Sequence, residues 1–296
     1  METAPLLAPE RILRRIEWKV VRRLEGLLQG EFHTLLRGSG SDFLDLRDYQ
    51  WGDDVRHIDW NVTARMDELF VRDFMEDREL TAWLLLDRSR SMTFGTVERT
   101  KEQVLSELAA AICQLLVRGG NRVGAVISDG MHEWSIPPRQ GRNQVLAIVR
   151  ELLRPVGGSQ LTDLGKLLET AARLVRRRSL VVLISDFISQ PGWERPLCRL
   201  TEQHEVVAVR LFDPREYELP DAGLLYVQDA ESGEQLLVDS SDPELRRRLL
   251  EAGRSRDDTI RHSVARARVR LHALSTEDDL LSALMRIAGS GRGPRR

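Results

Sequence analysis

Four short apolar runs punctuate the chain: Trp83–Leu86, Val123–Ile127, Leu180–Ile184 and Val206–Phe212. Their lengths suit strands buried on both faces. Around them stand stretches whose apolar residues recur every three or four positions, at about 99–118, 142–153, 163–177 and 192–203. That is the period of a helix with one buried stripe. Met131–Ile136 follows an Asp129-Gly130 turn and predicts a strand paired to the second run. Leu224–Val227 and Gln235–Val238 predict a hairpin. Asp242-Pro243-Glu244 predicts a helix start, with aspartate at the cap and proline in the first position, and the helix runs to about 265. Ala267–Leu274 alternates as a strand, and Ser275 with Asp278 opens a last helix. Short strands alternating with helices define an α/β fold with a mostly parallel, doubly wound, Rossmann-like sheet.

The amino-terminal part is different. Ile12, Ile16, Val20, Leu24 and Leu27 place an amphipathic helix at 11–28, with Arg14, Arg15, Arg22 and Arg23 opposite. Residues 30–78 alternate charges and aromatics without a long helical period, which predicts turns and a few short strands. Three regions follow: 1–78, a helix and an irregular or β extension; 79–288, the sheet domain; and 289–296, a frayed tail.

Composition narrows the class. With 42% apolar and 30% charged residues, the chain is globular. Its longest uncharged stretch, Leu108–Val117, is about half of the roughly 20 residues that a membrane span needs. Residues 1–30 lack the apolar core of a signal peptide. The two cysteines, Cys113 and Cys198, cannot build a disulfide framework. A cytoplasmic location is the expectation. Residues 244–296 carry thirteen arginines against seven acids, yet hold no Phe, Tyr or Trp on which nucleic acid bases could stack. Only three of the 44 basic residues are lysines, so arginine replaces lysine throughout and the basic section is read as helix surface.

The candidate chemistry lies where a parallel sheet places ligands, at the carboxyl ends of its strands. Asp87-Arg88-Ser89-Arg90-Ser91 leaves the first core strand with a carboxylate and two hydroxyls at alternate positions. Hard neutral and anionic oxygens suit Mg²⁺, which takes six of them at about 2.1 Å. Asp186 ends another core strand. Thr162 stands just before a helix and offers a third hydroxyl, although it also suits a helix cap.

These residues resemble the metal-ion-dependent adhesion site of von Willebrand factor A domains: Asp-x-Ser-x-Ser, a later Thr, and an Asp after a further strand. The resemblance implies that Ser89, Ser91 and Thr162 bind through hydroxyls, and that Asp87 and Asp186 bind directly or through water. Ser159 is a rival to Thr162, which lies one residue further from Gly157-Gly158 than in many such sites. A second resemblance is carried by Phe43-Leu44-Asp45-Leu46-Arg47-Asp48-Tyr49-Gln50-Trp51-Gly52-Asp53-Asp54-Val55-Arg56-His57-Ile58-Asp59-Trp60, with Thr63-Ala64-Arg65, Leu86–Met92 and Ile184–Phe187. It is similar to the bacterial domain-of-unknown-function fifty-eight family, whose signature segment precedes a von Willebrand factor A-like domain. Members are commonly encoded beside MoxR-type AAA+ ATPases, which makes such an ATPase the first partner to suspect. Within residues 43–65, arginines alternate with aspartates and suggest an ion-pair network that holds a loop, with Trp51 and Trp60 as anchors on the sheet domain; the alternative is a recognition surface for the partner.

Taken together, the implied function is a non-enzymatic, metal-dependent protein-binding module. A divalent cation, Mg²⁺ or alternatively Mn²⁺, captures an exposed Asp or Glu of a partner. The alternative is a Mg²⁺-dependent phosphoester hydrolase with Arg88 and Arg90 as stabilisers, but Ser89 stands where an aspartyl nucleophile's second Asp would be. Gly158 to Lys166 is not a phosphate-binding loop, because Gln160 replaces the first glycine and Leu167 follows the lysine.

Overall fold

A computed structural model of the chain describes residues 9–10, 43–49, 55, 58–66, 68–74, 80–95, 99–155, 162–218, 220–228 and 235–289. The 11–28 helix, residues 290–296 of the tail, Trp51, Asp53, Asp54, Arg56 and Ser159 lie outside the described residues.

The elements in chain order are β1 (Phe43–Asp48), α1 (Trp60–Met66), β2 (Phe70–Phe74), β3 (Thr81–Asp87), α2 (Lys101–Arg118), β4 (Arg122–Ser128), β5 (Glu133–Arg139), α3 (Arg142–Leu152) and α4 (Leu164–Leu174). They continue with β6 (Leu180–Ser185), α5 (Glu194–Gln203), β7 (Glu205–Phe212), β8 (Leu224–Gln228), β9 (Gln235–Asp239), α6 (Pro243–Arg266), β10 (Arg270–Ser275) and α7 (Leu280–Gly289). Short 3-10 turns follow β3 at Arg90–Thr93 and β7 at Pro214–Glu216.

The central sheet has the order β10-β7-β6-β3-β4-β5. All its pairings are parallel except β4 with β5. This is the α/β, mostly parallel, doubly wound architecture read from the strand runs. Alternation along β3 explains how two cores form. Ala82, Leu84 and Leu86 pack with α2, α3 and α7, while Trp83 and Leu85 pack with α4, α5 and α6. The side chains of Leu84, Leu85 and Leu86 are fully buried. Truncating one such leucine to alanine costs about 2–5 kcal/mol.

Local chemistry sets the element ends. Thr100 and Gln103 cap the start of α2 reciprocally, which satisfies two otherwise orphaned backbone donors. Asp242 caps α6 ahead of Pro243. The β4–β5 turn closes as predicted, with the Asp129 carboxylate accepting from the Met131 and His132 amides at 2.9 and 2.8 Å. Two boundaries differ from the sequence pattern. Alternation predicts a strand from Ala267, but Arg268 adopts a left-handed φ of 57° and ends α6, so β10 begins at Arg270. Asp278 accepts from the Ser275 amide within a turn, and Asp279 instead caps α7 through the Ser282 amide.

The amino-terminal segment forms a separate two-stranded antiparallel sheet, β1 with β2. Buried Asp59 accepts from the Val62 amide at the start of α1. Trp60 is 65% exposed and so does not anchor this segment on the sheet domain. A short helix falls there because Asp59 supplies a cap, a signal that the charge alternation hides.

Candidate functional site

Three loops at the carboxyl ends of β3, β6 and β7 meet beside the first turn of α2. β3 lies between β4 and β6 in the sheet, and the chain leaves it for β4 on one side before returning to β6 on the other. A crevice opens at such a reversal.

Asp87 ends β3. Its Oδ1 accepts from the Ser89 amide at 2.9 Å, and its Oδ2 accepts from the Ser185 hydroxyl at 2.6 Å. The Ser89 and Ser91 hydroxyl oxygens lie 3.1 Å apart. The two serine side chains of this loop therefore meet, and the Asp87 carboxylate holds the loop through the Ser89 amide. Asp186 follows β6, and its Oδ1 accepts from the Ile188 amide at 2.9 Å. Phe187 takes a left-handed φ of 61°, an unusual backbone for a bulky side chain. Its amide bonds to the Ser185 hydroxyl and its ring meets Trp193 edge-on, so the turn that presents Asp186 is fixed on both sides.

Thr162 does not cap α4. Asp163 does, accepting from the Lys166 amide. The Thr162 carbonyl accepts from the Gln190 amide and the Ser189 hydroxyl at 3.0 and 3.1 Å, which ties it to the loop carrying Asp186. None of Asp87, Ser89, Ser91, Thr162 and Asp186 is more than 4% exposed.

Three neighbours escaped the sequence reading. Lys101, 1% exposed, donates to Asp186 Oδ2 at 2.6 Å and also to Glu216. Glu216 comes from the 3-10 turn after β7, which Asp213 caps. Arg210 pairs with Asp257 and donates to the Tyr217 hydroxyl at 2.7 Å. One signal for Lys101 was available: it is one of only three lysines in an arginine-rich chain. An ammonium is a compact point charge, whereas a guanidinium is a planar fork.

Burial, and after it the charge of Asp186, pushes the Asp87 carboxyl up to about 6. For Lys101, burial would lower the ammonium, but Asp186 and Glu216 outweigh it and hold the group above the ordinary lysine value. Burial raises Glu216 despite Lys101. The Asp87 shift has a definite sign. A carboxyl raised in the folded state favours folding while protonated, and that contribution is lost as pH rises through about 6. The metal-free Asp87→Asn variant is therefore expected to gain on wild type by up to about 3 kcal/mol between pH 4 and pH 7. Urea unfolding at several pH values measures the difference, and a pH-independent one contradicts the shift.

Chemically, the cluster offers hard oxygens. The Ser89 and Ser91 hydroxyls are joined by a hydrogen bond of 3.1 Å, so two neutral oxygens lie side by side at the strand end. No three His, Cys, Asp or Glu side chains gather as a metal cluster among the described residues, and a cation here would have to draw on serine and threonine hydroxyls. Hydroxyl and carboxylate oxygens are donor types that Mg²⁺ and Mn²⁺ accept, while Asp186 Oδ2 already holds Lys101. Arg88 is not free to stabilise a phosphoester. Its guanidinium bonds to Glu102 and to the carbonyls of Glu151 and Arg154 at 2.9 and 2.7 Å. It thereby ties the Asp87 loop to α2 and to the end of α3.

An α/β domain with a hydroxyl and carboxylate cluster at its strand ends is the class that fold and site define. The chain belongs to the family described as "Protein of unknown function DUF58", whose model matches residues 45–259. It is 38% identical over 282 residues to the uncharacterized protein Rv1480 of Mycobacterium tuberculosis, covering 95% of this chain and 89% of that one. Among solved structures it is similar to the conserved hypothetical protein BatB from Bacteroides thetaiotaomicron, at 13% identity and TM-score 0.46, over 71% of this chain and 97% of that one. It is also similar to the SpRpn10 VWA domain, at 13% identity and TM-score 0.42, over 72% and 98%. Among the described residues, no helix is long and apolar enough to cross a membrane.

Proposed function

We propose that this chain is a protein-binding module that uses a hard divalent cation to capture a carboxylate of its partner. Asp87, Ser89, Ser91, Thr162 and Asp186 are the residues assigned to the cation, which is Mg²⁺ or Mn²⁺. One observation carries the reading: the Ser89 and Ser91 hydroxyls converge beside Asp87 at the end of a central strand, with Asp186 close enough to raise the Asp87 carboxyl. When bound, the cation supplies an open coordination position for an Asp or Glu oxygen. The partner meets the cation itself, so the protein side chains need little exposure of their own. Surrounding surface supplies most of the affinity.

The partner suggested by family resemblance is a MoxR-type AAA+ ATPase, for which the chain acts as an adaptor or chaperone-like factor. Capture of a purified MoxR-type ATPase on immobilised protein tests this. Retention is expected with Mg²⁺, with loss in chelator and on Asp87→Ala protein. Retention that ignores both treatments counts against the cation-bridged contact.

A further inference from the structure

Lys101 sits where a cation belongs. It is the first residue of α2, at the positive end of the helix dipole, where an ammonium is electrostatically misplaced. It is also buried to 1% exposure. Two carboxylates offset both costs. Asp186 Oδ2 accepts from Lys101 at 2.6 Å, and Glu216 accepts a second bond. With Ile188 on Oδ1, both oxygens of Asp186 are engaged. Each oxygen keeps a second lone pair, but an ammonium 2.6 Å from Oδ2 repels any other cation that approaches it, so close coordination there favours moving the ammonium away.

The charges show what displacement requires. Asp186 and Glu216 share the ammonium of Lys101, the neighbouring Arg210 is paired with Asp257, and Asp87 lies near enough to Asp186 to feel its charge. In formal charge this leaves a deficit that one divalent cation neutralises. Glu216 gives the displaced ammonium a place to stay, so Lys101 need not be expelled into water.

We propose that Lys101 is a built-in competitor for the cation site: it holds Asp186 in the metal-free protein, and a divalent ion binds by exchange, leaving the ammonium on Glu216. The inference rests on the cation reading of Asp87 above. It assigns Lys101 the role of setting how weakly the module holds its ion, and it makes Glu216 a positioning residue for the displaced ammonium.

Calorimetry with MgCl₂ and MnCl₂ at neutral pH separates the two ideas. The double variant Lys101→Met/Glu216→Gln removes one positive and one negative charge, so the net charge of the cluster is unchanged. It is expected to bind the ion about tenfold or more tightly than wild type, because one charge-assisted bond to Asp186 no longer has to be broken. Glu216→Gln alone is expected to bind more weakly, because the ammonium then has only Asp186. A double variant no tighter than wild type, when wild type binds and Asp87→Ala does not, overturns the competition and leaves the cation site standing. Cation binding by neither wild type nor the double variant overturns both. Binding by the double variant alone, abolished when Asp87→Ala is added, supports competition so strong that Lys101 fills the site. Where the double variant does not fold, Glu216→Gln decides, and unchanged affinity there overturns the inference.

Discussion

Lys101→Ala is expected to destabilise the protein by about 3–5 kcal/mol, seen as a lower urea midpoint with an unchanged slope. The substitution leaves Asp186 buried without its ammonium and strips Glu216 of the same partner. An isolated charge in the interior costs far more than the pair. The control is Lys166→Ala. Lys166 is 61% exposed and lies 3.5 Å from Asp163, and a surface pair of this kind contributes about 1 kcal/mol at most. Similar midpoints for the two variants would contradict a buried ammonium at the strand ends.

Asp87→Ala is expected to abolish measurable binding of Mg²⁺ or Mn²⁺ in calorimetry. It removes the one carboxylate that sits directly beside the serine hydroxyls, and two neutral hydroxyls hold a small divalent ion poorly. The loss is not expected to come from unfolding. Asp87 is buried next to a like charge and its carboxyl is raised to about 6, so its removal relieves repulsion while it orphans the Ser89 amide and the Ser185 hydroxyl. A variant that stays folded and binds the ion as wild type does would remove Asp87 from the site.

The sheet was legible because burial on both faces leaves a simple trace. Leu180–Ile184 is apolar throughout and forms the body of β6, and the Asp129-Gly130 pair marks the antiparallel hairpin at one edge of the central sheet. Boundaries set by single backbone conformations were harder. Nothing in the alternation of Ala267–Leu274 signals that Arg268 turns left-handed. At the site, the Asp87 loop was readable because its residues are adjacent in sequence. Lys101, Glu216 and Arg210 were not, since they meet Asp186 only through the packing of α2 and β7 against β6. A charged residue at the start of a helix or within a Pro-containing loop looks like surface until the tertiary neighbours are known. Trp60 is the opposite case, because an aromatic suggests an anchor and the chain leaves this one in solvent.

One border of the central sheet is β5, which pairs with β4 on its inner side and carries Pro137 and Pro138 within its own span. Proline has no amide hydrogen to offer a newcomer, and the Gln144 side chain already bonds the Pro137 carbonyl at 2.9 Å. A peptide added along that margin would find a donor missing at the prolines and an acceptor already in use. Strand addition, an unwanted association of open sheets, is discouraged there by the covalent structure of two residues.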